Sequence, residues 1–212
     1  MLGKHVYLPH GKKLVGIIGH LDVVPSGDGW NSNPFRAKIE NGKIYGRGSI
    51  DDKGPVIAAL YAMKAVKGNL KINSRVRLIL GLNEEKSWEC ISHYKKVEEW
   101  PTIGFSPDAD FPCIYAEKGI ETIYLKEDYT KYSNSPIQIY NIDCNNNATN
   151  SNLEPIAIGG GTYARAFDNC ISFGMNFPGD IDMCHQANEF VYIDKLILAC
   201  KIYAKAIYEL AK

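Results

Sequence analysis

Carboxylates and histidines recur in this sequence in short clusters, each at the polar end of an apolar run. His20 and Asp22 stand in GHLDVVP, Asp51 and Asp52 in GRGSIDDKGP, Glu84 and Glu85 in GLNEEKSW, and Asp108 and Asp110 in SPDADFP. A fifth stretch, FPGDIDMCHQANE, adds His185 and Glu189. Imidazole nitrogens and carboxylate oxygens are the donors that suit zinc. Two ions about 3.5–4 Å apart need one bridging carboxylate and a shared water. Singly, each cluster has a duller explanation, since a lone histidine is more often a hydrogen-bonded structural residue and Asp-Asp pairs are common in turns. Repetition at the ends of several apolar runs is what points to a metal site. His5, His10 and His93 show no such setting and are given no role.

The elements that must position these residues alternate in type. Leu14 to Val24 is a buried-strand pattern that turns polar at its end, and Arg36 to Tyr45 is a hairpin turned by Asn41-Gly42. Pro55 to Val66 has apolar residues at helical spacing, with Pro55 in the first turn. Arg75 to Leu82 is a strand, and Ser87 to Trp100 an amphipathic helix with Ser87 as its cap. Short strands are expected near Thr102 to Ser106, Cys113 to Ala116, Thr122 to Lys126 and Ile171 to Phe177, followed by a helix from Asp194 to Leu210. This alternation predicts an α/β three-layer sandwich, a mostly parallel central sheet flanked by helices, with ligand crevices at the carboxyl ends of its strands.

Composition narrows the function. Lysine and arginine (24) balance aspartate and glutamate (24), so the basic footprint of a nucleic-acid protein is absent. The 45% hydrophobic content is enough for a core in a 212-residue chain, and no run approaches the ~20 apolar residues of a membrane span. The first residues, MLGKHVYLPHGKK, lack the apolar region of a secretory signal. Six cysteines are scattered without CxxC spacing, which reads as reduced thiols in a cytoplasmic protein. One segment fits the alternation poorly: residues 127–155 contain NIDCNNNATNSN, a polar connector by composition.

The segments GHLDVVPSGDGWNSNPF, YGRGSIDDKGPVIAALYAMKA, NEEKSWEC, GFSPDADFPCIYAEKG, GGGTYARAF and FPGDIDMCHQANEF resemble, in order, the di-zinc metallopeptidases that include aminoacylases, carboxypeptidase G and carnosinases. The PepV-like bacterial dipeptidases are the nearest branch. The resemblance implies one metallopeptidase catalytic domain over residues 1–212, acting on dipeptides or short peptides with two zinc ions, for which manganese or cobalt could substitute. It implies that His20 and Asp108 bind one ion, that Glu85 and His185 bind the other, and that Asp51 bridges them through a cis peptide to Asp52. Glu84 becomes the general base and Asp22 the carboxylate that orients His20. Gly160, Gly161 and Thr162 become a backbone approach to substrate, and Arg165 a partner for its carboxylate.

Residues 127–155 stand where the family inserts a lid domain, so they are expected to be a linker or remnant. The N-terminal helical segment that the resemblance implies is likewise expected to be absent upstream. A lid supplied by another chain, a homodimer, an N-acyl-amino-acid deacylase and a non-catalytic metal-binding remnant remain alternatives at this point.

Overall fold

The computed structural model describes residues 6–8, 11–111, 113–117, 156–158 and 160–212. The expected connector at 127–155 and the strand near Thr122 to Lys126 lie outside them. Ten strands and three helices are described: β1 (Val6–Leu8), β2 (Leu14–His20), β3 (Lys38–Glu40), β4 (Lys43–Tyr45), α1 (Lys53–Asn69), β5 (Arg75–Gly81), α2 (Glu89–Val97), β6 (Ile103–Ser106), β7 (Ile114–Glu117), β8 (Ile156–Ile158), β9 (Cys170–Ser172), β10 (Phe190–Tyr192) and α3 (Ile193–Ala211).

The central sheet has the order β1-β5-β2-β6-β9-β7-β8. Its middle is parallel: β2 pairs with β5 from Leu14↔Arg75 to His20↔Gly81, and with β6 from Val15↔Ile103 to Ile17↔Phe105. All seven residues of β2 are buried, as a strand covered on both faces requires. The parallel expectation holds except where β1 runs antiparallel to β5 and β7 antiparallel to β9.

Strand alternation sorts the core into two layers. Val15, Ile17, Val76, Leu78 and Phe105 pack with Ala59 and Met63 of α1 and Ile202 and Tyr203 of α3. Ile18 and Ile79 point the other way, to Ile91 and Tyr94 of α2 and to Phe167. Trp100 closes that second layer, its ring stacked on Phe167 at 4.0 Å between centroids.

The hairpin forms as its turn dictates, with Asn41 at φ 49° and Gly42 at φ 73°. It joins β10, not the central sheet, in a separate antiparallel sheet of order β10-β4-β3. Two expected boundaries move. The second helix starts at Glu89, without a side-chain cap, after Trp88 in the left-handed region at φ 56°. The Ser87 hydroxyl instead donates to Asn83 Oδ1 at 2.6 Å, closing the turn that carries Glu84 and Glu85. The strand expected over Ile171 to Phe177 keeps regular pairing only at Cys170–Ser172. Beyond it the backbone bonds to the loop after β6, Met175 N donating to Ala109 O at 2.8 Å and Phe111 N to Asn176 O at 2.8 Å. Those bonds fix the loop bearing Asp108.

Candidate metal centre

Six side chains predicted from sequence converge beyond the carboxyl ends of the central strands. His20 is the last residue of β2, Glu84 and Glu85 follow β5, Asp108 follows β6, and Asp51 precedes α1. His20 is 1% exposed, and its Nε2 lies 2.9 Å from Asp51 Oδ1 and 3.5 Å from Asp108 Oδ2. From the other side, His185 Nε2 lies 2.9 Å from Asp51 Oδ2 and 3.2 Å from Glu85 Oε1. Asp51 thus faces one imidazole with each carboxylate oxygen. The peptide bond from Asp51 to Asp52 is cis.

Two donor sets follow, His20–Asp51–Asp108 and Asp51–Glu85–His185, the donor atoms within each lying within 4.8 Å of one another. They share Asp51. Nitrogen and oxygen donors at this spacing fit zinc-type cations, and a shared carboxylate fits a pair of them.

The electrostatics favour the same conclusion. Burial, reinforced by the Asp52 charge, pushes the Asp108 carboxyl well above its usual range. Burial also pushes Glu84 up to about 7, with Glu85 and Asp51 adding to the effect and His20 opposing it. Burial alone would raise Asp51, but its bonds to His185 and His20 bring it down. For His20, burial would lower the imidazole, and the bonds to Asp22 and Asp51 reverse the sign. Acids raised by burial and crowding beside histidines raised by their carboxylate partners make a charge arrangement that a bound dication would rebalance.

The surrounding groups fix these side chains in direction. His20 Nδ1 lies 3.0 Å from the Asp22 carbonyl oxygen and 3.5 Å from Asp22 Oδ1, leaving Nε2 to face Asp51. The His20 amide donates to Asp52 Oδ2 at 2.9 Å. Asp22 also accepts the amides of Glu84 and Glu85, at 3.1 and 3.2 Å. Glu84 is 9% exposed, and its Oε1 is buried without a partner among the described residues. Its carbonyl accepts the Trp88 indole N–H at 2.7 Å. The two neighbouring acids are therefore held differently: Glu85 meets His185, while Glu84 keeps a buried oxygen unengaged.

The glycine-rich segment is less direct. Gly160 is exposed, and the exposed Arg165 folds its guanidinium over Gly161. The Thr162 hydroxyl caps a short 3-10 turn at Tyr163–Ala166 and pairs with Ser172 Oγ at 2.8 Å. Tyr163 brings this turn to the centre, its ring edge-on to His20 at 6.4 Å. Sequence reading assigned no role to Tyr163, Asp52 or Arg47; all three lie inside the quoted motifs, which is the signal that could have found them.

The sequence profile of the family described as Peptidase family M20/M25/M40 matches residues 16–209. The chain belongs to that family. The M20 chain is 58% identical over 117 residues to the Bacillus subtilis (strain 168) protein named "Putative dipeptidase YtjP", a stretch covering 55% of this chain and 25% of that relative. The chain thus matches a quarter of that relative's length. Among solved structures it is similar to human carnosine dipeptidase 1, with a TM-score of 0.73 at 14% identity, covering 97% of this chain and 83% of that one. The di-peptidase Dug1p of Saccharomyces cerevisiae gives a TM-score of 0.69 at 12% identity, covering 97% and 82%. Both likenesses show the M20 peptidase fold. Among the described residues, no helix is long and apolar enough to cross a membrane.

Proposed function

We propose that this M20 chain is the catalytic domain, over residues 1–212, of a di-zinc dipeptidase that hydrolyses dipeptides or short peptides with a free amino end. One observation carries the reading: Asp51 presents one oxygen to His20 and the other to His185, so two donor sets share a single carboxylate. His20 and Asp108 would hold one ion and Glu85 and His185 the other, with Asp51 common to both. Bound there, the ions would supply Lewis acidity to the scissile carbonyl and acidify a water beside it. Glu84 takes the proton of the attacking water on its buried carboxylate and returns it to the leaving amine as the C–N bond breaks. Asp22 keeps the His20 ring turned and the Glu84–Glu85 turn in place. Gly160, Gly161 and Thr162 offer backbone to the substrate, and Arg165 swings from Gly161 to meet its carboxylate.

In this reading the remaining groups that fix the substrate come from a lid supplied by another chain, and a homodimer is the alternative assembly. Residues 127–155 are its linker or remnant. A cytoplasmic setting is supported by six cysteines spread along the chain without CxxC spacing.

The test is elemental analysis of the purified chain together with hydrolysis of Ala-Ala and a carnosine-type dipeptide, alone and with a lid-bearing M20 relative grafted around it. Two zinc ions per chain and dipeptide cleavage are expected. A chain that takes up no metal overturns the reading. Two zinc ions without turnover, even with the lid restored, overturn the activity and leave only a metal-binding domain.

A further inference from the structure

A buried ion pair stands beside the centre and contributes no ligand to it. Arg47 and Glu189 are 6% and 0% exposed, with Arg47 Nη1 donating to Glu189 Oε2 at 2.8 Å. Both ends of the pair reach further. Glu189 Oε2 also accepts the Gly48 amide at 3.0 Å, and Oε1 accepts the amides of Ile50 at 2.9 Å and Asp51 at 3.3 Å. Arg47 Nη2 donates to the carbonyls of Ser26 at 3.0 Å, His185 at 3.3 Å and Pro25 at 3.4 Å. Trp30 covers the guanidinium at 5.3 Å from its ring centroid and donates its indole N–H to the same Ser26 carbonyl at 2.7 Å.

A buried ion pair is poor support for stability as such, because desolvation offsets its attraction and apolar side chains of similar size often hold a fold as well. What apolar side chains lack is direction. This pair points at the amide of Asp51 and at the carbonyl of His185, a non-glycine residue held in the left-handed region at φ 63°. The other donor set is braced separately, His20 by Asp22 and Asp52, and the Asp108 loop by the Ala109–Met175 bond.

We propose that Arg47 and Glu189 are positioning residues, a clamp that aims Asp51 and His185 at the cation they hold with Glu85. The proposal rests on the metal-binding reading above but requires no catalysis. Partners that orient ligands in this way typically change metal affinity by about 10- to 100-fold when altered.

The decisive variant is Arg47→Lys, which keeps a positive charge beside Glu189 but cannot reach Ser26 and His185 together. Zinc is titrated against a competing chelator, and cobalt(II) absorption is recorded, for the parent, Arg47→Lys and His185→Ala, the last identifying which ion belongs to His185. Metal-free thermal unfolding is measured for each. The expected result is that Arg47→Lys weakens the ion lost in His185→Ala by about 10- to 100-fold and alters its cobalt spectrum, while the other ion, which shares only Asp51 with it, is weakened less. Unchanged affinity for both ions overturns the clamp. Equal weakening of both, in step with a lower metal-free melting temperature, overturns it as well, since that is a merely structural effect. If Arg47→Lys fails to fold, Glu189→Gln, which preserves shape and an acceptor for Ile50 and Asp51, must weaken the His185 ion, and parental binding there overturns the proposal. A parent that binds fewer than two ions overturns the metal reading and the clamp together; two ions in a parent without peptidase activity overturn only the activity.

Discussion

Asp22 holds Glu84 by its backbone: one carboxylate oxygen accepts the Glu84 amide at 3.1 Å. The other accepts the Glu85 amide at 3.2 Å, and the same carboxylate stands 3.5 Å from His20 Nδ1. The loop after β5 therefore hangs from the loop after β2. A donor from each metal set and the proposed base take their positions from one side chain.

Asp22→Ala removes both amide acceptors and the carboxylate beside His20 in a single change, leaving His20 Nδ1 only the backbone carbonyl of residue 22. Zinc affinity is expected to fall by about 10- to 100-fold. Asp22→Asn keeps one acceptor oxygen and is expected to lose less. Chelator competition on both variants checks the order, and an alanine variant that binds zinc like the parent contradicts the role given to Asp22.

Glu84 and Glu85 are expected to answer differently to the same substitution. Glu84→Gln should keep two zinc ions and, where turnover is measurable, lower it by about 10²–10⁴-fold, the usual weight of a general base. Glu85→Gln should weaken the ion shared with His185, and Asp51→Asn should weaken both. Zinc content and Ala-Ala hydrolysis on the three variants decide it. Zinc loss in Glu84→Gln with retention in Glu85→Gln would exchange the two assignments.

Metal uptake should be linked to protons. In the metal-free chain the bond to Asp51 holds His185 up at about 9, against an ordinary 6.5, so its imidazole is charged at neutral pH. A cation needs the neutral ring, so zinc must displace that proton and affinity should rise with pH. For His185 the gain runs up to about pH 9 and then ceases. The pairing also favours the metal-free fold below pH 6.5, a contribution that fades as pH climbs through about 9. Zinc affinity measured across this range tests the sign, and a pH-independent value would show that His185 does not bind.

Gly81 ends β5 where a side chain would overlap the ring of Tyr163. Tyr163 is 1% exposed and braced by Trp88, with centroids 5.4 Å apart, so it cannot step aside freely. Gly81→Ala is expected to destabilise the chain by about 1–3 kcal/mol, the usual cost of overpacking. Chemical unfolding of the metal-free protein measures it. Parental stability would mean that the ring yields.

The sheet and the donors were legible because they obey local rules. Residues 14–19 are apolar throughout because both faces of the strand are covered, and His20, Glu84, Glu85 and Asp108 are recognisable as polar breaks at strand ends. The Asn41-Gly42 turn announced its hairpin in the same way. The start of α2 was misread because Ser87, a good cap by type, spends its hydroxyl on Asn83 to close the acidic turn. Arg47 escaped, and Glu189 was grouped with the donors, because their meaning lies in backbone groups far apart in sequence, and no periodicity reports an amide accepted across the fold. Asp51 was different again: its bridging place came from resemblance, and its two imidazole contacts could be found only in three dimensions.

The order of the donors along the chain also sets when each becomes available during synthesis. His20, Asp51 and Asp108 all leave the ribosome before residue 109, whereas the other set has no imidazole until His185 emerges, shortly before α3. A nascent chain can thus offer a complete set of donors for one cation well before it can offer a second. The second set closes only when Asp51 and His185, far apart in sequence, are brought together, so it depends on long-range contacts more than the first does.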